Sequence, residues 1–340
     1  MRERARGLQA RHLGPAAVIR LGTRGSALAL AQSQRVADSI AARTGEEVEL
    51  VRITTHGDVS TAPLASMGGV GVFVAAVRES LLAEECDVVV HSLKDLPTTP
   101  HPGLMVAAMP KRADARDAAI VRDGIALADL PAGSKVGTGS PRRQAQLRRR
   151  FPDLEVVELR GNVDTRLARV LGREAGAAAD GSPIEAMTAD LDAVILAAAG
   201  LERLGHLDVV TEYLGIDGWP TAPGQGALAV ETRRDLSGPL KKALLALDHR
   251  STRLAVEAER AVLRRLEAGC SAPLGAHAFI DGDMMFLASR VYSPEGDQVS
   301  SAHALYIDDA DDPAEDLAAR VADELLANGA AELAPLGGDK

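Results

Sequence analysis

Aromatic side chains are scarce in this 340-residue chain: Trp219, three tyrosines and four phenylalanines make up 2% of it. So sparse a set offers no platform for stacking the bases of single-stranded nucleic acid. Cysteine is scarcer still, with only Cys86 and the distant Cys270. Two thiols exclude a disulfide framework or a zinc knuckle, and without a secretion-signal pattern they point to a reducing, cytoplasmic setting. Long apolar runs are missing too. The uncharged stretch Ala62–Val77 is broken by Pro63 and three glycines, and falls short of the roughly 20 apolar residues that span a bilayer. Cationic excess is also lacking: 38 Lys and Arg against 48 Asp and Glu leave a net charge of −10, which argues against coating nucleic acid or adhering to anionic lipid. An anionic partner must therefore be met locally.

What is present is globular. Apolar residues at 46% and charged residues at 25% match folded domains, and the length suggests two or three of them. Residues 1–17 carry four arginines and one glutamate without an apolar region behind them, and are expected to be a disordered basic extension. From Val18 onward, β-rich runs (AVIRLGT, EVELVRITT, CDVVVHS) alternate with helical periodicity from Ser26 and over GVFVAAVRESLL. The rhythm resumes near Lys111 with DAAIV, KVGTGS, a helix after Pro141, LEVVEL, a helix from Asp164, and LDAVILA. Alternation of this kind predicts two α/β lobes in series. The Gly/Ala-rich run between Leu171 and Asp190 reads as a mobile surface insertion. After Gly226 come a strand (GALAVE), a helix over Pro239–Leu247, and an amphipathic helix over Ser251–Ala268 closed by a left-handed Gly269. Strands joined by turns at Asp281-Gly282 and Ser293–Gly296, then a helix over Pro313–Asn328, predict a third, small α+β domain.

Charged groups gather where strands hand over to helices, the edge at which α/β folds build sites. In LGTRGSALAL, Ser26 caps a helix and Arg24 projects from the turn before it, an anion seat or an ordinary capped helix. In VVVHSLKDLPT, His91, Ser92, Lys94 and Asp95 crowd the exit of an apolar strand. Lys94 and Asp95 either pair with each other or offer a cation and a carboxylate to a substrate. In KVGTGSPRRQAQL, Ser140 is placed to cap a helix that carries Arg142 and Arg143 in its first turn. Cations there oppose the helix dipole, and a bound anion also held by Thr138 and Ser140 would relieve the conflict. LRGNVDTRL repeats the arrangement, with Arg160 before the helix, Asp164 or Thr165 as cap, and Arg166 inside. From Ser140 to Val170 eight arginines face four acids, so a ligand with several anionic groups is expected. Cys86 heads an apolar strand and reads as an inert buried thiol. Cys270 is flanked by Gly269, Ser271 and Ala272, and has the access needed for one permanent covalent bond, although a helix C-terminus disfavours a fast thiolate.

Taken together, RLGTRGSALALAQS, HSLKDLPT, VGTGSPRRQAQL, LRGNVDTRL, AAAGLERLG, APGQGALAVE and ERAVLRRLEAGCSAPLG resemble the porphobilinogen deaminase (hydroxymethylbilane synthase) family from about Val18 nearly to the C-terminus. The resemblance implies a cytoplasmic, monomeric transferase of tetrapyrrole and heme biosynthesis that condenses four porphobilinogen molecules head to tail, releases ammonia each time, and hydrolytically frees a linear hydroxymethylbilane. It implies a dipyrromethane cofactor joined by a thioether to Cys270, and no metal. It implies two lobes like those of periplasmic binding proteins: residues 18–110 with 227–247, and 111–226 with an insertion near 172–190. A C-terminal α+β domain, 248–340, would carry the cysteine. Motif positions imply Asp95 as the catalytic carboxylate; Lys94, Thr138, Ser140, Arg142, Arg143 and Arg160 as cofactor contacts; and Arg24, Ser26, Arg166, Arg203 and Gln225 as substrate contacts. The chain departs from the family pattern at Val70 and Ala75, where many relatives carry lysine, and in residues 1–17 and the insertion. Two other readings use the same residues: a two-lobed binding protein for a small polycarboxylate, which needs no thiol, and an acyl-transfer enzyme pairing Cys270 with His277.

Overall fold

In the computed structural model the described residues are 18–53, 71–177, 183–269, 272–334 and 336. The basic extension, Val70 and Cys270 lie outside them. The first lobe opens with β1 (Ile19–Arg24), α1 (Ala27–Thr44), β2 (Val48–Ile53), α2 (Gly71–Leu82), β3 (Val88–Ser92) and β4 (Leu104–Ala108). β1 runs parallel to β2 and β3. Strands covered by helices on both faces must be apolar throughout, as the Val88–Val90 run of β3 is.

The second lobe holds β5 (Asp117–Val121), β6 (Lys135–Gly137), α3 (Pro141–Arg150), β7 (Glu155–Val157), α4 (Val163–Leu171), β8 (Gly176–Ala177), β9 (Pro183–Ile184), β10 (Ala193–Ala197), α5 (Ala198–Leu204) and β11 (Glu212–Leu214). Its main sheet has the order β11-β5-β10-β6-β7, with β5 antiparallel to both neighbours. The chain then returns as β12 (Leu228–Arg233), which lies antiparallel between β3 and β4 and completes the order β2-β1-β3-β12-β4. The outgoing and returning connections touch: Ala113 N–H donates to Gly226 O at 3.2 Å. Gly226 has φ 86°, and a Cβ there would sit 2.8 Å from Ala113 O, so only glycine lets the two connections meet.

α6 (Gly238–Leu247) packs back on the first lobe, and the third domain comprises α7 (Arg250–Arg265), the meander β13 (Leu274–Asp281), β14 (Met284–Tyr292) and β15 (Gln298–Tyr306), α8 (Pro313–Ala327) and α9 (Ala330–Leu333). Its core is the apolar face of α7 and α8 against the sheet, with Val262, Leu317, Val321 and Leu325 fully buried.

Two local expectations are corrected. The cap of α4 is Asn162, whose side chain accepts from Thr165 N–H at 2.8 Å, so Asp164 and Thr165 lie inside the helix. α7 ends at Arg265, and its left-handed residue is Glu267 (φ 50°) rather than Gly269. The Ala268 N–H bond back to Leu263 O at 2.9 Å closes the helix before the glycine is reached. The stretch expected to be a mobile insertion contains a paired hairpin, β8 with β9 and Arg173 bridged to Met187, because reciprocal backbone bonds satisfy its polar groups there. Residues 178–182 within it lie outside the described set.

One buried ion pair locks α2 onto the first sheet. Arg78 donates to Glu231 at 2.9 and 2.7 Å, and His91 Nε2 lies 3.1 Å from the same carboxylate. Burial pushes the Glu231 carboxyl up, but the bonds from His91 and Arg78 outweigh it and hold the group at about 2. Its stabilisation is complete above the unfolded value near 4.3 and is lost as pH falls through about 2. Glu231→Gln is expected to cost about 3–5 kcal/mol at neutral pH by stranding Arg78. In urea denaturation, the gap between variant and parent should narrow as the pH is lowered from about 5 toward 2.

Candidate active site

The first-lobe part of the site sits at the carboxyl ends of β1 and β3, where the strand order reverses, the place at which open α/β sheets bind ligands. β1 ends on Arg24, half-buried, and Ser26 caps α1 by accepting from Ala29 N–H at 3.3 Å. β3 ends on Ser92, held by Gln32 Nε2 at 3.3 Å. A 3₁₀ turn, Leu93–Asp95, follows and is stopped by Pro97, which forces Leu96 into extended backbone (φ −83°, ψ 127°). Leu93 is fully buried, so the turn is pinned while Lys94 and Asp95 remain partly exposed. They do not pair. Lys94 Nζ donates to Gln225 Oε1 at 3.4 Å, and among the described residues no hydrogen bond or ion pair engages the Asp95 carboxylate.

The second-lobe part sits at the exit of β6. Thr138 is buried and its Oγ1 accepts from Ser140 N–H at 3.3 Å, while Ser140 caps α3 through a long 3.5 Å bond from Arg143 N–H. Gly139 passes so close to Leu159 that a Cβ would lie 2.5 Å from its carbonyl oxygen. Arg142 and Arg143 are only 3% and 5% exposed, and they turn inward to one carboxylate. Arg142 Nη2 donates to Asp117 Oδ2 at 2.9 Å and Arg143 Nη2 to Oδ1 at 2.6 Å. Trp219 Nε1 and Gln225 Nε2 donate to Asp117 at 2.9 and 2.8 Å. Burial pushes the Asp117 carboxyl up, but the two guanidinium groups overwhelm that and hold it far below the carboxylate range. The conflict of cations with the α3 dipole is thus relieved first by the protein itself. Two guanidinium groups against one carboxylate still leave positive charge, and among the described residues Nε of both arginines has no hydrogen-bond partner.

Gln225 ties the halves together. Its Nε2 donates to Ala115 O and to Asp117, both at 2.8 Å, and its Oε1 receives Lys94 and, at 3.5 Å, Arg143. Lys94 is pushed down to about 8, chiefly by burial; Asp95 and Asp117 oppose that shift, while Arg143 and Arg142 add to it. Arg166 Nε donates to Gly161 O at 2.8 Å, and burial plus repulsion from Arg143 lowers its pKa. Arg203, from α5, donates to Gly226 O at 2.6 Å, and burial lowers it to about 10. Arg160 stays apart: its side chain is 55% exposed and pairs with Glu158 at 3.0 Å. Cys270 is outside the described residues, and Cys86 is buried. His277 faces Glu259 at 3.5 Å, and burial lowers its pKa.

Two organising carboxylates escaped the sequence reading. Asp117 heads the otherwise apolar DAAIV strand, and that lone acid was the available signal. Glu259 lies within the apolar stripe of α7, between Ala258 and Val262, and is fully buried. It accepts from Arg112 at 2.6 and 3.0 Å, from Gly224 N–H at 2.6 Å and from Ala278 N–H at 2.9 Å. One side chain therefore joins both interlobe connections to the third domain.

Residues 19–238 match the family model "Porphobilinogen deaminase, dipyromethane cofactor binding domain", and residues 253–327 match "Porphobilinogen deaminase, C-terminal domain". The porphobilinogen deaminase of Leifsonia xyli subsp. xyli is 53% identical over 329 residues, 94% of this chain and 95% of its own. That of Cutibacterium acnes is 50% identical over 331 residues, covering 94% and 97%. Among solved structures, a periplasmic substrate-binding protein of an ABC transporter from Coxiella burnetii covers 67% of this chain and 91% of its own at 16% identity, with a TM-score of 0.39.

Asp117→Asn should destabilise the protein by about 3–5 kcal/mol, because it leaves two buried guanidinium groups without their counter-charge. Urea unfolding checks this, and an unchanged midpoint would show the cluster to be dispensable for folding.

Proposed function

The chain belongs to the porphobilinogen deaminase family, and from that premise we propose how its residues divide the work. The enzyme is a hydroxymethylbilane synthase: four porphobilinogen units are joined head to tail with loss of ammonia, in a protein that carries a dipyrromethane cofactor. Each pyrrole ring bears an acetate and a propionate, so cofactor and growing chain together present many carboxylates. The residues present suit such a group. Lys94, Arg142, Arg143, Arg166 and Arg203 outnumber Asp95 and Asp117, and among the described residues the Nε atoms of Arg142 and Arg143 lack partners. Guanidinium–carboxylate forks at about 1.5–3 kcal/mol per charged bond hold anions of this shape.

When bound, the dipyrromethane supplies a pyrrole α-carbon as nucleophile. We assign its attachment to Cys270. Arg143, backed by Asp117, together with Thr138 and Ser140 at the start of α3, faces its carboxylates. Arg142 acts from behind, by holding Asp117 and, through Nη1, Pro220 O at 3.0 Å. Arg24, Ser26, Arg166 and Arg203 line the approach of each new porphobilinogen. Arg160 reaches a carboxylate only by exchanging Glu158 for it.

Departure of ammonia from porphobilinogen leaves positive charge on the ring system, and attack by the α-carbon leaves a proton to be removed. Both tasks call for an ionised carboxylate close to the pyrrole N–H groups. The observation that carries the assignment is the Asp95 carboxylate, engaged by no hydrogen bond or ion pair among the described residues, next in the chain to Lys94, whose Gln225 partner also receives Arg143. Asp95 stabilises the cation and takes the proton, while Lys94 and Gln225 hold the ring substituents. All these groups come from one chain, and we further propose that the protein works as a monomer in the cytoplasm. Among the described residues no helix is long and apolar enough to cross a membrane.

Asp95→Ala should keep a dipyrromethane-sized adduct by intact mass under denaturing conditions while turnover falls about 10²- to 10⁴-fold. Normal turnover would remove Asp95 from this role. Cys270→Ala should show the bare polypeptide mass. Lys94 is cationic below its pKa of about 8, so KM for porphobilinogen should rise as pH passes through that value, and Lys94→Met should abolish the rise.

A further inference from the structure

Within its own lobe the turn that carries Lys94 and Asp95 is held by apolar packing and few backbone bonds. Its single internal backbone bond runs from Leu96 N–H to Leu93 O at 3.2 Å, and Leu93 N–H donates to Ala227 O at 3.1 Å. Among the described residues the carbonyls of Leu96 and Pro97 have no partner of this backbone kind, as expected at the end of a short 3₁₀ segment. Leu93 and Leu96 anchor one side in a small core. On the other side, Leu93, Leu96 and Pro97 border a cavity of about 370 Å³ in place of packed side chains.

Arg260, itself one of the residues lining this cavity, reaches the turn from the third domain. Its Nη1 donates to Leu93 O at 3.1 Å and to Leu96 O at 2.7 Å, and its Nη2 donates to Pro97 O at 2.7 Å. These three carbonyls bracket Lys94 and Asp95, one before them and two after. A guanidinium is a planar fork with fixed donor directions, so three simultaneous bonds set the position and the tilt of the turn. The base of the fork is itself fixed, because the preceding residue, Glu259, is buried and bonded to Arg112, Gly224 and Ala278. α7 runs on to Arg265, five residues beyond.

We propose that Arg260 is a positioning residue that fixes the Asp95 carboxylate against the reacting pyrrole. The proposal rests on the assignment of Asp95 above. Arg260 touches no reacting atom; it acts through the backbone of residues 93–97. A carboxylate displaced by about 1 Å loses much of its advantage in proton transfer and charge stabilisation, on the order of 100-fold, while ligand carboxylates held by arginines elsewhere bind as before.

The test compares Arg260→Met, Arg260→Lys and Arg264→Gln in the holoenzyme. Arg264 stands one helical turn further on, bonded to Glu315 at 2.5 Å, and its variant should match the parent. Arg260→Met should retain the cofactor mass and a cooperative melt, keep KM within about threefold, and lose kcat by about 10- to 100-fold. Arg260→Lys, able to reach part of the carbonyl set, should recover some of that kcat. In an Asp95→Asn background the Arg260→Met change should cost nothing more, since residues that act through one another are not additive. Parent-like kcat in Arg260→Met, or a full further loss in the Asp95→Asn background, overturns the proposal. So does loss of the adduct or of the cooperative melt in both Arg260 variants, which would make the residue a domain clamp. If Asp95→Ala itself turns over normally, the assignment of Asp95 fails first; if only the Arg260 variants behave as the parent does, that assignment stands and the positioning role falls.

Discussion

A single carboxylate, Asp117, makes the cleft possible. Two guanidinium groups at the start of a helix and inside a protein oppose both the helix dipole and the cost of burial. Asp117 accepts from both, and from Trp219 and Gln225, so the cations are held rigidly at the cleft wall. Its compensation is incomplete by one charge. That deficit lets the wall be folded without ligand and still favour an incoming carboxylate. The protein's net charge of −10 is no obstacle, because local charge within a Debye length of about 8 Å governs such binding.

The same economy recurs at the joint. Gln225, a neutral amide, receives the Lys94 ammonium from one lobe and donates to Asp117 of the other. Glu259 does the comparable task one layer deeper, tying Arg112 and Gly224 to the third domain. Polar groups buried this fully are costly when unsatisfied, so each network favours one arrangement of the three units over looser ones.

Much of the architecture was legible in the sequence because strand-forming runs such as Val88–Val90 and AVILA are apolar without interruption, and because α2 and the core face of α7 follow the helical period closely. Helix ends were less legible. Asn162 outcompeted Asp164 as a cap, and Glu267 took the left-handed turn ahead of Gly269, since backbone bonds to particular carbonyls decided both. In the site, the strand-exit motifs pointed to Lys94, Asp95, Arg142 and Arg143. Their wiring was hidden, because Asp117 meets partners that lie 25 to 108 positions away in the chain, and spacing carries no trace of such contacts. Arg160 shows the converse: it belongs to a basic motif yet stands in solvent beside Glu158.

The placement of β12 bears on how the molecule is made. That strand separates β3 from β4 in the first sheet, yet it follows the whole second lobe in the chain. During synthesis β4 emerges with its neighbour missing, and the first sheet stays open along that seam until Arg233 has left the ribosome. The second lobe has no such debt, since every strand of its sheet lies between Asp117 and Leu214. The lobe that begins the chain is therefore the later of the two to close, and its exposed strand edges in the interval are the molecule's most aggregation-prone moment.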